Sequence, residues 1–306
     1  MALDPFAARF LAMMGRPVAT PPTSFAARRQ GLSDLARVAD RVEPGVATRD
    51  LVMVGPGGEM RLRLYGGPVS SRACVIYLHG GGLCAGGLDT HAGLCSRLAA
   101  ASGLPVLALA YRLAPEHPCP AALEDGAALI TALLRAPESL GLTSGPLILA
   151  GDSAGATLAL VLALRFAPQI ARLLLICPIV DMGGTADSRL RFGEGYFVDA
   201  QVIAADLAAY LAPGMSARDP QIAPLFSPDL ARLPPIDLHV ADYDPFRDEG
   251  LDLAARVGEA GGKVSLTRHP GMIHYFYALA RAIPYAGEAA AMMGAQLREA
   301  TQAGEF

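Results

Sequence analysis

Short, almost continuously apolar runs recur along the chain, and between them lie stretches whose apolar residues recur at helical spacing. Runs of this kind are typical of strands that are buried on both faces of a sheet, and their alternation with helices predicts βαβ units and a mostly parallel sheet. The predicted strands are residues 73–78, 104–110, 146–150, 172–177, 236–240 and 263–268. The predicted helices are residues 90–101, 120–135, 154–166, 247–260 and 288–300.

The beginning of the chain follows a different pattern. Residues 49–54 and 59–65 alternate apolar and polar positions around a Gly-Pro-Gly-Gly turn, which predicts an antiparallel hairpin at one edge of the sheet. Before this hairpin, residues 5–14 and 21–39 have the pattern of two amphipathic helices. The predicted fold class is therefore α/β, with helices on both faces of the sheet.

A long interruption separates the fourth and fifth predicted strands. It contains a helical stretch at 199–211 and a proline-rich return, and it is too long for a simple crossover. We expect residues 183–225, together with residues 1–45, to form a helical cap. The α/β domain then comprises residues 46–182 and 226–306, and the cap covers the carboxyl ends of the strands, where open α/β sheets bind ligands.

Composition and charge argue against several classes of partner. Hydrophobic residues make up 52% of the chain and charged residues 18%, which suits a globular protein with a large core. The net charge is −4 and the Lys and Arg residues are scattered, so we expect no binding of nucleic acid or anionic lipid. The longest apolar stretches fall short of the ~20 residues that a membrane-spanning helix needs, so membrane insertion is not expected either.

The cysteines and the first residues bear on the compartment. Residues 1–16 lack the basic and apolar regions of a signal peptide. The five cysteines contain no CxxC pair, and reduced thiols in the cytoplasm are a better interpretation than disulfides. No cluster of His, Cys and Asp has the spacing of metal ligands, so the sequence implies neither a metal nor an organic cofactor.

A glycine-containing turn joins the third predicted strand to the helix after it: Gly151-Asp152-Ser153-Ala154-Gly155. Such a turn must be tight, and its glycines let the backbone pass closely while Ser153 projects above the sheet. This context predicts that Ser153 is a nucleophile. The GxSxG pattern alone is a weak signal, and a plain strand-to-helix turn is the alternative interpretation.

A second glycine run, His79-Gly80-Gly81-Gly82, follows the first predicted strand. Glycines allow consecutive backbone N–H groups to point at one position, as an oxyanion requires when an ester carbonyl becomes tetrahedral. We expect Gly81 and Gly82 to donate hydrogen bonds there, with the N–H of Ala154 as a third donor. His79 is interpreted as a residue that organises the loop rather than as a base. The alternative is a flexible turn.

An acid and a base that could complete such a site lie near the ends of the last two strands. The loop after the fifth strand offers four acids: Asp242, Asp244, Asp248 and Glu249. Position favours Asp244 without deciding the choice, because the others could cap the turn or begin the next helix. After the last strand His274 is the predicted base, and His269 is its nearby competitor. The chain order Ser, Asp, His is that of the α/β-hydrolases.

Together with Tyr111-Arg112-Leu113-Ala114-Pro115-Glu116-His117-Pro118, these motifs resemble those of the bacterial members of the hormone-sensitive lipase family of carboxylesterases. The resemblance runs from about residue 40 to residue 280. It implies an α/β-hydrolase fold with a helical cap. It also implies that Asp244 is the acid of a DPxxDE segment and that His274 is the base of a GxxHxF segment.

The resemblance further implies that Gly81, Gly82 and Ala154 are the oxyanion donors, and it assigns no chemistry to residues 111–118. Two positions depart from the family pattern. Leu83-Cys84 follows the glycines where the family usually has an aromatic residue, and Cys119 replaces the phenylalanine of an HPFP segment. The departures concern the shape of the acyl pocket. We interpret Cys84 as an inert apolar residue rather than as a reactive thiol.

The resulting hypothesis is a serine carboxylesterase that cleaves esters of short to medium acyl chains through an acyl-enzyme. Amidase, lactonase and deacetylase activities are alternatives, because the triad does not discriminate among leaving groups. A non-catalytic small-molecule receptor of the same fold is a further alternative, although such receptors lack the catalytic histidine. The expected partner is a small-molecule ester. A homodimer is also expected, because strand 263–268 could pair between subunits at an open sheet edge, as is frequent in the family.

Overall fold

The computed structural model of the chain describes residues 2–15, 24–66 and 73–303, and an eight-stranded sheet lies at its centre. The strand order is β1-β2-β4-β3-β5-β6-β7-β8; β2 pairs antiparallel with β1 and β4, and all other neighbours pair in parallel. The prediction of a mostly parallel sheet with an antiparallel N-terminal edge is confirmed. The strands are β1 (Thr48–Gly55), β2 (Gly58–Tyr65), β3 (Cys74–Leu78), β4 (Val106–Ala110), β5 (Leu147–Asp152), β6 (Ile170–Ile176), β7 (Ile236–Tyr243) and β8 (Val264–Ile273).

Helices cover both faces of the sheet. The α-helices of the described segments are α1 (Pro5–Met14), α2 (Phe25–Ala39), α3 (Ala92–Ser102), α4 (Ala121–Arg135), α5 (Ala154–Arg165), α6 (Asp187–Phe192), α7 (Ala200–Tyr210), α8 (Arg247–Glu259) and α9 (Tyr285–Gln302). Because successive side chains of a strand point to opposite faces, β3 contributes to two cores. Ile76 and Leu78 pack with residues of α4, α5 and α8, whereas Val75 and Tyr77 pack with residues of α3 and α9.

The predicted elements differ from the structure mainly at β8 and in the long interruption. The prediction that the last strand ends at residue 268 is wrong, because β8 continues to Ile273. Pro270 and Gly271 signal a strand end in the sequence, but β8 accommodates them through an irregularity in its pairing with β7. The short helix α6 was not predicted. The predicted start of the second helix at residue 21 lies outside the described residues.

The cysteines and the most apolar helix lie in the interior. All five cysteines are free and buried, which agrees with the expectation of reduced thiols. Helix α5 buries most of its length beneath the sheet's centre, against β5 and β6. Within the described ranges, no helix is both long enough and apolar enough to cross a membrane.

Candidate active site

Ser153 lies in the tight turn between β5 and α5, at the carboxyl end of β5. Its backbone has φ 52° and ψ −123°, a conformation that a side chain rarely adopts and that projects Ser153 out of the turn. The flanking glycines are sterically required. A Cβ on Gly155 would lie 2.1 Å from the carbonyl oxygen of Leu78, and a Cβ on Gly151 would lie 2.6 Å from the carbonyl carbon of Gly155.

His274 lies between Ser153 and Asp244. Its Nε2 is 3.0 Å from Ser153 Oγ, and its Nδ1 is 2.8 Å from Asp244 Oδ2. The second oxygen of Asp244 accepts a hydrogen bond of 2.7 Å from the N–H of Phe246. Since the carboxylate can only accept, Nδ1 carries the ring proton and Nε2 is free to accept a proton from the serine hydroxyl. The three side chains meet because β5, β7 and β8 are parallel and end at the same edge of the sheet.

Gly81 and Gly82, in the glycine loop after β3, line the same cavity as Ser153. Gly81 has φ 119° and Gly82 has φ 66°, and a Cβ on Gly81 would lie 2.3 Å from the carbonyl oxygen of Ala85. The carbonyl of Gly80 accepts from His79 Nδ1 at 2.8 Å, and the carbonyl of Gly81 accepts from Ala85 N at 2.9 Å. In a planar trans peptide the next N–H points away from the carbonyl. These bonds therefore hold the direction of the Gly81 and Gly82 N–H groups.

The N–H of Ala154 is the first of α5, where the helix dipole favours negative charge. It directly follows Ser153 in the chain. The three amides that the sequence predicts as oxyanion donors thus come from two elements on either side of one serine, an arrangement that suits a developing negative charge.

Asp152 is fully buried beside Ser153 and accepts four hydrogen bonds. Its Oδ1 accepts from Tyr77 Oη at 2.7 Å and from Gly80 N at 2.9 Å, and its Oδ2 accepts from Tyr277 Oη at 2.9 Å and from His91 Nε2 at 3.2 Å. Burial alone would raise the pKa of Asp152, but His91 and the two tyrosines outweigh it and lower the pKa to about 2. The ionised carboxylate holds the Gly80 end of the glycine loop.

His79 holds the same loop from within. Its ring stacks on that of Tyr111, with centroids 4.2 Å apart, and Tyr111 Oη donates a 2.5 Å hydrogen bond to the His79 carbonyl. Burial, followed by the neighbouring His91, lowers the pKa of His79 to about 4, so its ring is neutral at pH 7. These contacts are those of a residue that organises the loop.

A cavity of about 420 Å³ opens above Ser153, near the lower end of the usual range for ligand sites. Its walls come from the core and from α1, α2 and α7, and they are mostly apolar. The apolar lining includes Leu32, Leu35, Ile179, Met182, Phe197, Val198, Val202, Ile203, Leu207 and Phe246. One ion pair, Arg28 with Asp206, lines the cavity beside the glycine loop.

Comparison with known proteins places this site in a family. The sequence signature of an α/β-hydrolase-fold family matches residues 75–278. An ethyl acetate hydrolase of Pseudomonas putida is 32% identical over 89% of this chain and 89% of its own length. The esterase LipI of Mycobacterium tuberculosis is 35% identical over 85% of this chain and 84% of its own.

The chain belongs to the hormone-sensitive lipase family of the α/β-hydrolases. The resemblance inferred from the motifs is confirmed. Among solved structures, the ester hydrolase EH1AB1 from the metagenome of Lake Arreo, in complex with a bipyridine phosphonate derivative, has a TM-score of 0.90 and 33% identity. The similarity covers 98% of this chain and 99% of that one.

In this family member the four acids of the loop after β7 have separate partners. Asp244 bonds His274, whereas Asp242 bonds Arg268 and the N–H of Gly271. Asp248 accepts from the N–H of Ser188, at the start of α6.

Glu249 is buried and pairs with Arg189 of α6, and its second oxygen accepts from the N–H groups of Val180 and Asp181. Burial raises the pKa of Glu249, against the opposing effect of Arg189. Asp248 and Glu249 therefore anchor the segment after β6 to α8. The sequence could not separate these roles, because each depends on a partner about sixty residues away.

His269, the alternative to His274 as the base, lies within β8. Its ring contacts His239 and Tyr285 rather than Ser153. Its Nε2 is 3.0 Å from Nδ1 of His239, and its Nδ1 is 3.1 Å from Tyr285 Oη. His239 Nε2 in turn lies 2.9 Å from Gln296 Oε1. Both rings are fully occupied by hydrogen bonds, and neither contacts Ser153.

The segment 111–118, to which the sequence assigns no chemistry, ties the core to α2. Arg112 bonds the buried Asp125, and Glu116 pairs with Arg29 of α2. Arg29 also donates to the carbonyl of Ala114 at 2.8 Å.

Two expectations concern residues 83 and 84. Leu83 is fully buried in a left-handed conformation with φ 63°. Cys84 is also fully buried, and burial raises the pKa of its thiol. A protonated, inaccessible thiol agrees with the interpretation of Cys84 as inert.

Several residues at the site were not predicted. His91, Tyr77 and Tyr277 surround Asp152, and Arg28 reaches the glycine loop. The thiol of Cys177, directly after β6, lies within 4.8 Å of a carboxylate oxygen of Asp244 and of a ring nitrogen of His274. A buried tyrosine or cysteine in an apolar run looks like a core residue, so no local signal distinguishes these side chains.

Proposed function

We propose that this chain is a serine carboxylesterase that acts on uncharged esters of short to medium acyl chain. The observation that carries the proposal is the continuous contact from Asp244 through His274 to Ser153, with distances of 2.8 and 3.0 Å. The names of the curated relatives support the reaction class, and the ethyl acetate hydrolase supports small acyl groups.

In the first half-reaction, Ser153 Oγ attacks the ester carbonyl carbon while His274 Nε2 takes the hydroxyl proton. Asp244 stabilises the imidazolium that forms. The N–H groups of Gly81, Gly82 and Ala154 bind the oxyanion of the tetrahedral intermediate. The intermediate collapses, His274 returns the proton to the leaving alcohol, and the acyl group stays on Ser153.

In the second half-reaction, water attacks the acyl-enzyme and His274 takes its proton. A second tetrahedral intermediate collapses with the proton passing to Ser153 Oγ, and the carboxylic acid leaves. Ser153, His274, Gly81 and Gly82 all line one cavity. The mostly apolar lining supports an uncharged acyl chain, and the volume of about 420 Å³ supports a short to medium one.

The decisive experiment compares wild type with Ser153→Ala on p-nitrophenyl esters from acetate to laurate. We expect the activity of wild type to peak at the shorter chains, and the variant to lose about 10⁶-fold in kcat. Ser139→Ala, which removes an exposed serine on the surface, is the matched control and should retain full activity.

Two results would count against the proposal. Butyrate hydrolysis retained by Ser153→Ala would exclude Ser153 as the nucleophile. Absence of hydrolysis of any ester, amide or lactone by wild type, with retained binding of small ligands, would favour a receptor. Relative kcat/KM values on matched ester, amide and lactone substrates separate the esterase from the amidase and lactonase alternatives.

The division into domains is part of the proposal. We propose residues 1–45 and 183–225 as the cap and residues 46–182 and 226–306 as the catalytic domain. The cavity supports this division, because α1, α2 and α7 all contribute to its wall above Ser153.

The finer expectations about environment are also proposals. The five free, buried cysteines support a reducing compartment such as the cytoplasm.

Strand β8 lies at one edge of the sheet with Leu266 partly exposed, which supports pairing of two chains there. Light scattering coupled to gel filtration tests this, and a monomer for wild type would exclude the dimer.

A further inference from the structure

Two consecutive arginines near the start of α2 bind the turn that begins at Gly81. Arg28 Nη2 donates to the carbonyl of Gly81 at 3.0 Å, and Arg29 Nε donates to the carbonyl of Cys84 at 2.7 Å. The two contacts lie at the two ends of a single turn. The loop that carries two of the proposed oxyanion donors is thus held partly by a helix outside the sheet.

The Arg28 contact acts on the peptide that supplies the Gly82 N–H. The carbonyl of Gly81 and the N–H of Gly82 belong to one planar trans peptide, so they point in opposite directions. Arg28 and Ala85 N both bind the carbonyl, which aims the Gly82 N–H away from them. A charged donor on the carbonyl also polarises the peptide, so the N–H becomes a stronger donor.

Asp206 of α7 completes the arrangement. Both of its oxygens pair with the Arg28 guanidinium, and the pair is mostly buried, with side-chain exposures of 18% and 9%. The carboxylate lies directly against the loop, since a Cβ on Gly82 would be only 1.8 Å from Asp206 Oδ2. A carboxylate at this position would oppose an oxyanion at Gly82 unless a cation neutralised it.

We propose that Arg28 and Asp206 are a positioning pair, in which Arg28 aims the Gly82 N–H and neutralises Asp206. Docking of α2 and α7 then becomes a condition for a complete oxyanion hole. This inference rests on the proposed esterase function and deepens it. In this proposal both residues act on the reaction through Gly82.

The proposal predicts unequal losses of kcat when Arg28 and Asp206 are replaced one at a time, whereas a merely structural ion pair predicts equal losses. Arg28→Met removes the contact to Gly81 and leaves the buried Asp206 carboxyl group without its partner beside the loop, so kcat should fall about 10- to 100-fold with KM nearly unchanged. Asp206→Asn keeps Arg28 on Gly81 and should lower kcat less than about 3-fold. The double variant Arg28→Met/Asp206→Asn should recover part of the loss, because the unpaired carboxyl group is gone.

Arg37→Met is the matched control, because Arg37 lies on the same helix and pairs with Asp34 on the exposed face. It should retain wild-type kcat. Equal losses for Arg28→Met and Asp206→Asn, no recovery in the double variant, or equal kcat for Arg28→Met and Arg37→Met would each overturn the proposal.

Two further measurements keep the test decisive. If Arg28→Met does not fold, Arg28→Lys is compared with Arg37→Lys. A lysine cannot hold Asp206 in a two-pronged contact and reach Gly81 together, so a kcat about 3- to 10-fold lower is expected at position 28 alone. Ester hydrolysis by wild type and its loss in Ser153→Ala are measured in parallel. Failure of the esterase function is thereby distinguished from failure of the Arg28 proposal.

Discussion

Two buried histidine–aspartate pairs lie next to Ser153, and they differ in what each leaves free. In the first pair, His274 Nδ1 lies 2.8 Å from Asp244, and Nε2 faces Ser153 Oγ in the cavity. In the second, His91 Nε2 lies 3.2 Å from Asp152, and Nδ1 lies 2.8 Å from Thr90 Oγ1. Only His274 has a nitrogen that faces a reacting group.

The difference shows why similar pairs can have different uses. A histidine whose two nitrogens are both held by the protein has no position from which to take a proton from serine. The His91–Asp152 pair instead joins β3, β5 and the glycine loop. A histidine–aspartate pair can act as a base here only if the second ring nitrogen of its histidine is free to face the serine.

Among substitutions in these histidine pairs, the largest effect on kcat is expected for Asp244→Asn. The amide can donate to Nδ1 of His274 and thereby place the ring proton on Nε2, facing Ser153. A ring in that tautomer cannot accept the serine proton, so kcat on p-nitrophenyl butyrate should fall about 10⁴-fold. The midpoint temperature of thermal unfolding should stay close to that of wild type.

Asp252→Asn is the control for this change, because Asp252 is an exposed acid on α8 that pairs with Arg256. It should leave kcat within about 2-fold of wild type. Retention of more than a tenth of wild-type kcat by Asp244→Asn would contradict the assigned role of the first pair.

The same substitution in the second pair should act mainly on stability. All four partners of Asp152 donate hydrogen bonds, and an asparagine offers only one accepting oxygen. We expect Asp152→Asn to lower the free energy of unfolding by about 2–4 kcal/mol, and kcat by about 10- to 100-fold through the glycine loop. Urea unfolding and kcat are measured on the same samples.

The pH dependence gives this prediction a sign. The pKa of Asp152 is lowered to about 2 from an ordinary 3.8, so the carboxylate stabilises the folded state above about pH 4, and this contribution is lost as the pH falls toward 2. The difference in stability between wild type and Asp152→Asn should therefore shrink below pH 4. A kcat loss as large as that of Asp244→Asn would mean that the second pair takes part in the chemistry.

The smallest effect, one on stability alone, is expected at a pair of two histidines, His239 and His269, whose rings contact each other directly. Burial lowers the pKa of His239 to about 4, and burial together with His239 lowers that of His269 to about 3. The groups that face the pair are Gln296, Tyr285 and Asp242.

Both histidines are protonated more easily in the unfolded chain, where the pKa is about 6.5. Their contribution to stability is therefore present above about pH 6.5 and is lost as the pH falls toward 4. His239→Gln removes one titrating group, so the drop in unfolding free energy between pH 7 and pH 5 should become smaller by about 2 kcal/mol.

Urea unfolding at the two pH values measures this drop. His117→Gln, which changes an exposed histidine, is the control and should leave the drop as it is in wild type. An unchanged drop in His239→Gln would show that the buried pair does not contribute to the acid sensitivity of the fold.

Local patterns predicted most of the α/β core. Buried strands, the helices between them and the turn around Ser153 follow from apolar runs and glycines that are close in sequence. The end of β8 could not be predicted in the same way, because Pro270 and Gly271 normally break a strand. Pairing with β7 overrode that local preference and placed His269 inside the strand.

In the candidate site, too, some features follow from local sequence and others depend on tertiary contacts. The sequence by itself determined the strand-turn-helix around Ser153, the glycines of the loop after β3, and the chain order of serine, acid and histidine. Position along the chain left the acid and the base open, and the family resemblance implied Asp244 and His274, which the tertiary structure brings into contact. Only the tertiary structure decided which arginine supports the glycine loop. The physical reason is separation along the chain. Ser153 and His274 are 121 residues apart and Arg28 and Asp206 are 178 apart, so only the packed sheet and helices bring these groups within hydrogen-bond distance.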